Sequence, residues 1–456
     1  MQSPEQIIID GQKQIIELLL EENKQLKKRV QEIEQQLTRF TTRKDSHNSS
    51  IPPSKDENRP RRTNSLREPS GKKPGGQPGH EGRTLEMTSN PDHIIDYRSS
   101  FCPSCGGDVS HVPAEVAETR QVIDLPVIKQ IVTEHRVYQY RCDCGHVFQS
   151  DFPLDVPWKV SYGKMLESLI GYFSVRQYLP FKRLQELMRD VFGVSISEGG
   201  IHCLLNRLAD NGITAYEMIR QEVMNSPVIG TDETGMNVNG KKHWFWTWQS
   251  KLATYIAASS NRGMNTIDDH TVEISDQAVL VHDCWRAHFQ TPVGRHQLCT
   301  VHLIRELNFL EELYKLAWPV RFRVMLLEAE ELKKRMEPKD FLYPVHGRSL
   351  LVKELDSLLS EEIDPKYKQL VSFQKRIIRY KDHVFTFLYD PAVPSHNNDS
   401  EKAIRNVKVK QKVSGQFKTF TGAENFAILR SIIDTAIKNK QDVLAALNVV
   451  AKYHRD

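Results

Sequence analysis

The chain has 456 residues, of which 39% are hydrophobic and 26% are charged, and this composition fits a water-soluble protein of about two to four domains. It contains no apolar run near the ~20 residues that a membrane-spanning helix needs and no signal peptide at its start, so we expect a cytoplasmic protein without membrane contact. The net charge of +4 is modest, but residues 41–84 hold ten lysines and arginines against five acids, a surplus that favours a nucleic-acid partner.

The first predicted element is a coiled-coil helix. Between residues 9 and 40, apolar residues recur in steps of three and four over about four heptads, with Ile16 and Val30 in one seam and a leucine-rich second seam. Asn23 falls in the first seam, where a polar residue fixes register and oligomeric state. The pattern predicts parallel dimerisation through residues 1–41. An amphipathic helix packed on its own domain is the alternative.

The next stretch is rich in proline, glycine, serine and charged residues. Asn48-Ser-Ser-Ile-Pro-Pro-Ser54 is followed by Gly71-Lys-Lys-Pro-Gly-Gly-Gln-Pro-Gly-His80, and neither motif can bury enough apolar surface to offset chain entropy. We predict a basic, disordered linker over residues 42–98. Its cationic side chains either stay solvated or hold DNA phosphates, and the two roles are compatible.

Four of the seven cysteines form two close pairs. Cys102 and Cys105 are separated by two residues, and Cys142 and Cys144 by one. Four thiolates close a tetrahedral zinc site and leave no position open for catalysis, so we predict structural zinc in a zinc-ribbon domain over residues 99–155. Four reduced, free cysteines are the alternative.

Two further features belong to this zinc-ribbon region. The second cysteine pair is spaced more tightly than usual, so a histidine, either His146 or His111, can replace one thiolate. The alternating segment 130–140 predicts a β-strand between the two pairs.

Residues 156–225 are predicted to be helical. The segment 181–192 is apolar at helical spacing, Gly193 marks a turn, and a second helix begins at Glu198 with Ser197 as its N-cap. A helix, a short turn and a second helix form the outline of a helix-turn-helix motif. DNA contact and a purely structural role are both compatible with this outline.

The pattern then changes to β-strands. Residues 228–238 form the first strand, and Asn239-Gly240 predicts a tight hairpin turn. Residues 244–249 and 253–258 return as the second and third strands, and 278–282 is a separate apolar strand. A sheet with antiparallel neighbours therefore follows the helical region.

Three acidic residues are carried by separate elements. Asp232 lies within the first strand, Asp283 directly follows the separate strand, and Glu401 lies near the start of a predicted helix. Carboxylates from different elements of one core can meet at a point, and their hard oxygens suit Mg²⁺ or Mn²⁺. Two such ions can activate a water and stabilise the leaving oxygen of a phosphoryl transfer. Glu233 should face away from Asp232, because side chains alternate along a strand.

The helix that carries Glu401 also carries basic residues. Arg405, Lys408 and Lys412 share one face with the acid, and Lys402 adjoins it. A metal-binding carboxylate would thus stand at the head of a basic stripe suited to a phosphate backbone. An exposed helix with charge pairs is the alternative.

The remaining elements complete the outline of the chain. Asn397 and Asn398 precede the basic helix as capping or phosphate-contacting residues. Residues 302–380 are helical and charged and are predicted to form an insertion, and residues 423–438 form a last amphipathic helix before the tail.

The order of these motifs resembles that of the insertion-sequence-66 family of transposases. Thr231-Asp-Glu-Thr234 is similar to the stretch around the family's first catalytic acid. Cys299-Thr-Val-His302-Leu-Ile-Arg305 resembles its Cys-x-x-His-x-x-Arg segment, and Asn397-Asn-Asp-Ser-Glu-Lys-Ala-Ile-Arg405 resembles the region of the third acid. The linker motifs and both cysteine pairs also match, nearly from end to end. Two departures are Lys402, where arginine is more usual, and a lysine-rich segment 408–417.

The resemblance implies a multidomain α/β protein with a ribonuclease H-like core, in which a mixed sheet is flanked by helices and interrupted by a helical insertion. It assigns Asp232, Asp283 and Glu401 as catalytic acids that hold Mg²⁺ or Mn²⁺, and it makes Arg305 a candidate for contacting DNA or the transition-state charge. Cys299 and His302 are expected to be structural. The predicted regions are the coiled coil (1–41), linker (42–98), zinc-finger domain (99–155), helical region (156–225), catalytic domain (226–440, with an insertion at about 302–380) and tail helix (441–456).

Residues and resemblance together predict DNA transposition. Water attacks the phosphodiester at the element end, and the freed 3′-hydroxyl then attacks target DNA. Two alternatives are a non-catalytic DNA-binding protein derived from a transposase and a metal-dependent nuclease without strand transfer. The expected partners are DNA (element ends and target), a second copy through the coiled coil, and accessory proteins of the same element, all in the bacterial cytoplasm.

Overall fold

The computed structural model describes residues 16–30, 33, 48, 85–153, 156 and 158–453. The chain divides into two compact units, one comprising Met1–Pro60 with Thr133–Asp456 and the other Arg61–Val132. In the described part of the chain, no helix is both long enough and apolar enough to cross a membrane.

The first helix, α1, covers residues 16–30 and exposes its side chains along this length. Ile16, Leu19 and Leu26 of the predicted seams are 56%, 53% and 61% exposed. The helix is confirmed over these residues, and an exposed apolar seam is what a partner helix would cover. Dimerisation stays a prediction, and most of the remaining heptad positions lie outside the described residues.

The cysteine-containing region holds little regular structure. Strand β1 (Gln139–Arg141) pairs antiparallel with β2 (Val147–Gln149). The predicted strand over residues 130–140 is wrong for all but its last two residues. Ile131 is 92% exposed and no described strand pairs with 130–138, so the alternating pattern has neither a partner nor a surface to cover.

A five-stranded mixed sheet forms the centre of the larger unit, with the strand order β5-β4-β3-β6-β7. β3 pairs antiparallel with β4 and parallel with β6, which pairs parallel with β7. The Asn239-Gly240 turn joins β3 to β4 with positive φ at both residues, as the sequence predicts. The strands are β3 (Val228–Val238), β4 (Lys241–Gln249), β5 (Thr254–Ser259), β6 (Val279–His282) and β7 (Arg295–Leu298).

Helices cover both faces of this sheet. On one face, Phe245 and Ile256 share a core with helical residues such as Leu208 and Phe426. On the other face, Trp246 packs in a second core. The α-helices are α2 (Lys164–Gly171), α3 (Phe181–Phe192), α4 (Glu198–Asn211), α5 (Ile213–Met224), α6 (Met264–His270), α7 (Thr300–Tyr314), α8 (Ala317–Arg335), α9 (His346–Ser360), α10 (Lys368–Arg379), α11 (Asn398–Ser414), α12 (Phe420–Lys438) and α13 (Val443–Lys452).

The predicted helix-turn-helix outline corresponds to α3 and α4. Gly193 ends α3 in the left-handed region at φ 65°, and Ser197 caps α4 by accepting a hydrogen bond from Gly200 N at 3.0 Å. Leu184 and Met188 of α3 are fully buried in the core that α4 shares with the sheet. The helices are therefore confirmed, while DNA contact through them stays a prediction.

Helices α7 to α10 form the predicted insertion and have a core of their own. Trp318, Phe322 and Phe373 pack edge-on or tilted in its centre. The Trp318 indole N–H donates to the Leu358 carbonyl at 3.0 Å. This core continues into Val279 and Val281 of β6, so the insertion packs directly against the strand that leads to Asp283.

Helix α12 closes the open edge of the sheet. Two backbone N–H groups of the edge strand β5 donate to side chains of α12, from Thr254 to Thr435 Oγ1 at 3.1 Å and from Ile256 to Ser431 Oγ at 2.9 Å. The helix predicted over residues 423–438 is confirmed, and most of its residues are buried. Polar side chains inside a helix here satisfy a strand edge that would otherwise attract another strand.

A buried ion pair joins α12 to the helical region. Arg430 is fully buried, and its guanidinium binds Asp434 with two hydrogen bonds. Its Nη1 also donates to Tyr178 Oη at 2.9 Å and to the Val175 carbonyl at 3.3 Å. The positive charge of Arg430 is thus compensated by the negative charge of Asp434 inside the protein.

Replacing Arg430 with alanine should lower the free energy of unfolding by about 3–5 kcal/mol, because Asp434 would remain as a buried charge without its counter-ion. Urea unfolding followed by tryptophan fluorescence measures this change. Arg335→Ala, which removes an exposed pair with Glu331, is the matched control and should cost less than about 1 kcal/mol. Equal losses in the two variants would contradict the role assigned to Arg430.

Candidate active site

The parallel pairing of β3 and β6 brings the two predicted aspartates side by side. Gly230 on β3 is the register partner of Val281 on β6. Two residues further along each chain come Asp232 and Asp283, so the same register sets them at one level on neighbouring strands. Adjacent strands lie about 4.8 Å apart, and the two carboxylates therefore emerge at the same end of the sheet.

Hydrogen bonds attach the start of the helix that contains Glu401 to the end of the sheet where the two aspartates lie. Helix α11 begins after Asn397, whose Nδ2 donates to the carbonyl of Thr231, directly before Asp232, at 2.6 Å. The Asn397 backbone N–H donates to Cys299 Sγ at 3.2 Å. The Cys299 N–H in turn donates to the His282 carbonyl, directly before Asp283, at 2.8 Å. One continuous set of bonds thus joins the three stretches that carry the acids.

This corrects the expectation that Asn397 caps the helix. It occupies the N-cap position, but its side chain makes no capping bond to the helix backbone. Its amide is directed at the sheet, and its Oδ1 accepts from Ser400 Oγ at 2.6 Å. Gly230 permits this close approach, because a Cβ there would lie 2.6 Å from Ser400 Oγ and 2.9 Å from Asn397 Oδ1.

The acids affect one another electrostatically. Burial, followed by the charges of Glu233, Asp283 and Glu401, raises the pKa of Asp232 well above its ordinary value. Glu401 Oε1 is buried without a hydrogen-bond partner among the described residues. Converging carboxylates with an unpartnered oxygen are the donor set that a hard divalent cation would satisfy.

The residues present fit such a cation without enclosing it. Within the described part of the chain, no three histidine, cysteine, aspartate or glutamate side chains lie close enough to hold a metal ion by themselves. Mg²⁺ commonly takes one or two protein carboxylates and completes its shell with waters and substrate phosphates. An open carboxylate site of this kind is therefore compatible with an ion that binds together with its substrate.

A second cluster borders Asp283 on the other side of the sheet. Glu233 pairs in register with Trp246, on the face opposite Asp232, as strand alternation predicts. His288 Nε2 lies 3.3 Å from Glu233 Oε2 and 3.6 Å from Asp283 Oδ1. Although burial opposes ionisation, His288 and Arg262 hold the pKa of Glu233 below its ordinary value. Glu233 is therefore a charged group that anchors the neighbours of Asp283.

Arg262 is fixed at the outer end of this cluster. Its guanidinium donates to Glu233 and lies 4.4 Å from the ring centre of Trp285 and 5.1 Å from that of Trp244. Arg262 and His288 belong to no sequence motif, and their contacts with Glu233 and Asp283 exist only in the folded protein. The adjacency of Glu233 to Asp232 was the only local signal.

Helix α7 supplies two residues beside Glu401. His302 Nε2 and Arg305 Nη1 each lie 3.7 Å from Glu401 Oε1. Cys299, one turn earlier, is buried, and burial raises the pKa of its thiol to about 11. A neutral thiol that accepts the Asn397 N–H is consistent with the expected structural role of Cys299.

The basic residues of α11 have different surroundings. Arg405 and Lys412 are exposed, and Lys402 is exposed while pairing with Asp399 at 2.9 Å. Lys408 is half-buried and donates to the Gly235 carbonyl at 3.1 Å, so its ammonium group holds α11 against β3. The predicted DNA contacts of all four remain predictions.

Each cysteine pair forms a tight turn within its own unit. The Cys102 N–H donates to the Gly107 carbonyl at 2.8 Å, and the N–H of Gly106, at φ 72°, donates to the Cys102 carbonyl. The N–H of Cys105 is the main cause that lowers the pKa of the Cys102 thiol. Backbone amides directed at sulfur favour the thiolate, which is the form that binds metal.

The second pair repeats this pattern. The Cys142 N–H donates to the His146 carbonyl at 2.8 Å, and the Gly145 N–H donates to the Cys142 carbonyl at 2.8 Å. The N–H of Cys144 is the main cause that lowers the pKa of Cys142. The one-residue spacing therefore still permits a metal-binding turn.

Asn397→Ala should lower the free energy of unfolding by about 1–3 kcal/mol, because the Thr231 carbonyl would lose its buried donor. Calorimetric unfolding measures the effect. Asn439→Ala removes an exposed bond to the Leu252 carbonyl and is the matched control, with an expected change below about 1 kcal/mol. If Asn397→Ala were as stable as the control, the bond from Asn397 to Thr231 would contribute nothing to holding the start of α11 on the sheet.

Three family models match parts of this chain. A family model described as "Transposase IS66 family" matches residues 159–425, which include all three acids. The model for the zinc-finger binding domain of transposase IS66 matches residues 99–145, which include both cysteine pairs. A family of unknown function, DUF6444, matches residues 2–86, and no curated protein was found to match. Because the first match covers more than half of the chain, this protein belongs to the IS66 family of transposases.

Proposed function

We propose that this transposase catalyses metal-dependent cleavage at the ends of an insertion sequence and strand transfer into target DNA. The observation that carries the proposal is geometric: the β3–β6 register sets Asp232 beside Asp283, and the Asn397 bond to the Thr231 carbonyl attaches the start of the Glu401 helix next to Asp232. The mixed sheet with helices on both faces supports a ribonuclease H-like core.

The three acids are the residues that would hold the divalent ions. When bound, Mg²⁺ or Mn²⁺ would polarise the scissile phosphate and lower the pKa of the attacking water or hydroxyl. The three carboxylates would fix the position of the ions. Asp232 is held by β3, Asp283 by the end of β6, and Glu401 by the Asn397 bond to Thr231. His288 and the Trp285 N–H, which donates to Asp283 Oδ1 at 3.1 Å, orient Asp283.

The DNA backbone is proposed to pass along α11 and the start of α7. Arg305 lies beside Glu401, and Arg405 and Lys412 extend the positive charge along α11 on the exposed side. Lys402 contributes a further exposed cation. Such contacts fix the position of a duplex without reading its sequence.

Zinc is proposed to stabilise the zinc-finger domain through Cys102, Cys105, Cys142 and Cys144. The support comes from the turn geometry of each pair and from the family match over residues 99–145. A closed site of four ligands would be structural and would take no part in strand cleavage.

Glu401→Gln should reduce cleavage at the element ends by at least about 1,000-fold, because a neutral amide removes several kcal/mol of metal-mediated charge stabilisation. Purified protein is incubated with Mg²⁺ or Mn²⁺ and DNA carrying the element ends, and nicked and joined products are separated by size. Asp283→Ala should behave in the same way while DNA binding persists. Cleavage retained in both variants would remove these acids from the site.

The same assay separates the alternatives by its products. Joined element–target molecules are expected for a transposase, whereas nicks without joined molecules would indicate a nuclease. Binding without any cleavage, with both metals, would favour a non-catalytic DNA-binding protein. Glu331→Gln, an exposed acid of α8, is the matched control and should cleave normally.

Cys102→Ser and Cys142→Ser should each reduce bound zinc from about one ion per chain to a small fraction of that value. Elemental analysis of the purified protein measures the metal content. Cys203→Ser is the control, because Cys203 is exposed and lies in α4, outside the cysteine pairs. Full zinc content in both pair variants would contradict the proposed ligands.

A further inference from the structure

The segment that leads into α11 has no regular secondary structure. Residues 389–397, all of which the structure describes, form neither a helix nor a strand, and Glu401 follows them by four positions. Their sequence, Tyr389-Asp-Pro-Ala-Val-Pro-Ser-His-Asn397, contains two prolines, which have a backbone carbonyl but no N–H. The segment therefore has more backbone acceptors than donors, and its carbonyls need donors from elsewhere in the protein.

A lysine of the helical insertion supplies these donors. Lys333 lies on α8, and its Nζ donates to four backbone carbonyls, those of Phe387 (2.8 Å), Asp390 (2.9 Å), Pro391 (3.3 Å) and Val393 (2.6 Å). An ammonium group has three N–H donors, so its hydrogen-bonding capacity is fully used by this one stretch of backbone. Because the donor is charged, each bond is stronger than one between neutral groups.

The core of the insertion fixes the ammonium group in place. Lys333 continues the face of α8 on which Phe322, Leu326 and Ala329 are fully buried, since the steps of four, three and four residues keep these positions on one side of a helix. The Lys333 Nζ also lies 5.4 Å from the ring centre of Phe341. The nitrogen is therefore a fixed point to which the segment before α11 is attached.

Glu330, one helical turn before Lys333, holds the later part of the same segment. Ser395 Oγ donates to Glu330 Oε1 at 3.2 Å, and Thr300 Oγ1 lies 2.5 Å from the same oxygen. Two residues after Ser395, Asn397 donates to the Thr231 carbonyl on β3. The segment is thus attached first to α8 and then to the sheet.

Lys333 binds the path of the backbone and not an acidic side chain of the segment. The carboxylate of Asp390 is directed elsewhere, because its Oδ1 accepts from the Ala392 N–H at 2.9 Å and its Oδ2 from Arg295 Nη2 at 3.4 Å. Bonds to four carbonyls form together only when the chain follows one particular course. The arrangement therefore favours a role in positioning over a simple neutralisation of charge.

We propose that Lys333 is a positioning residue for the third acid. By holding the carbonyls of residues 387–393, it determines where α11 begins and thereby where Glu401 lies relative to Asp232 and Asp283. This inference rests on the proposed function, because it assigns Lys333 a role that acts through Glu401. The lysine itself contacts the backbone of the segment, so its effect on the chemistry is indirect.

Lys333→Met tests the effect on the reaction, because it keeps an unbranched side chain and removes the ammonium group. With the full chain, Mn²⁺ and DNA carrying the element ends, we expect cleavage to fall about 10- to 100-fold, the loss typical of a group displaced by about 1 Å. The Mn²⁺ concentration for half-maximal cleavage should rise. Lys334→Met removes the neighbouring exposed lysine and should cleave normally. Normal cleavage in Lys333→Met would overturn the proposal.

Hydrogen exchange followed by mass spectrometry measures the attachment without DNA or metal. The Asn397 N–H is held by Cys299 Sγ, so its exchange reports on the start of α11. In Lys333→Met, peptides covering residues 389–400 should exchange about tenfold faster or more, whereas peptides of β5 should be unchanged and show that the sheet is intact. Unchanged exchange over residues 389–400 would contradict the attachment.

Chemical rescue distinguishes positioning from a general loss of stability. Lys333→Ala removes the atoms of a propylammonium ion from a site that is half-buried and so open to solvent. Propylammonium chloride should restore cleavage several-fold and slow the exchange of residues 389–400. Tetramethylammonium chloride should do neither, because this cation has no N–H to donate. Equal effects of the two salts, or no effect of either, would count against Lys333 as the positioning group.

Glu401→Gln separates this inference from the proposed function. It should reduce cleavage and leave the exchange of residues 389–400 as in the unaltered protein, whereas Lys333→Met should change both. Faster exchange with full cleavage in Lys333→Met would sink the positioning role alone. If the unaltered protein does not cleave element ends while the exchange responds as expected, the proposed function fails and the attachment of α11 by Lys333 stands.

Discussion

The bond from Asn397 to the Thr231 carbonyl is the constraint on which the rest of the site depends. The two aspartates need no further attachment to each other, because the parallel pairing of β3 and β6 already sets them side by side. Glu401 comes from a helix more than a hundred residues further on, after the whole insertion. Without a fixed attachment of α11 to the sheet, small shifts of this helix would move the third carboxylate away from the first two. The Asn397 amide bonds to the sheet instead of capping its own helix and so fixes the start of α11, while Lys408 holds the helix further along through the Gly235 carbonyl.

The helical insertion also helps to hold the three acids in position. Its core continues into β6, and its first helix carries His302 and Arg305 beside Glu401. The start of α7 is also joined to the segment before α11, because the Thr300 N–H donates to the Ser395 carbonyl at 2.9 Å. The helices between Asp283 and Glu401 are therefore more than a spacer. They hold the segment before α11 from one side while β3 holds it from the other.

Local signals in the sequence predict much of the fold. The Asn239-Gly240 hairpin and the Ser197 cap agree with the structure, because a two-residue turn and an N-cap are determined by neighbouring residues. Strand β7 is not predictable in this way, because its short polar sequence shows no alternation and forms a strand only through its pairing with β6. The acids could be proposed from their order along the chain. Arg262 and His288 could not, since only the folded sheet brings them to Glu233 and Asp283.

The closure of the β5 edge by α12 also governs what happens while the chain is being made. β3, β4 and β5 can pair as soon as they are synthesised, but the side chains that satisfy the β5 N–H groups lie about 175 to 181 residues later. During synthesis that edge stays open and can pair with another strand. A chain truncated before α12 would leave the edge open permanently. Such a product would be prone to aggregation through the β5 edge, which α12 covers in the full chain.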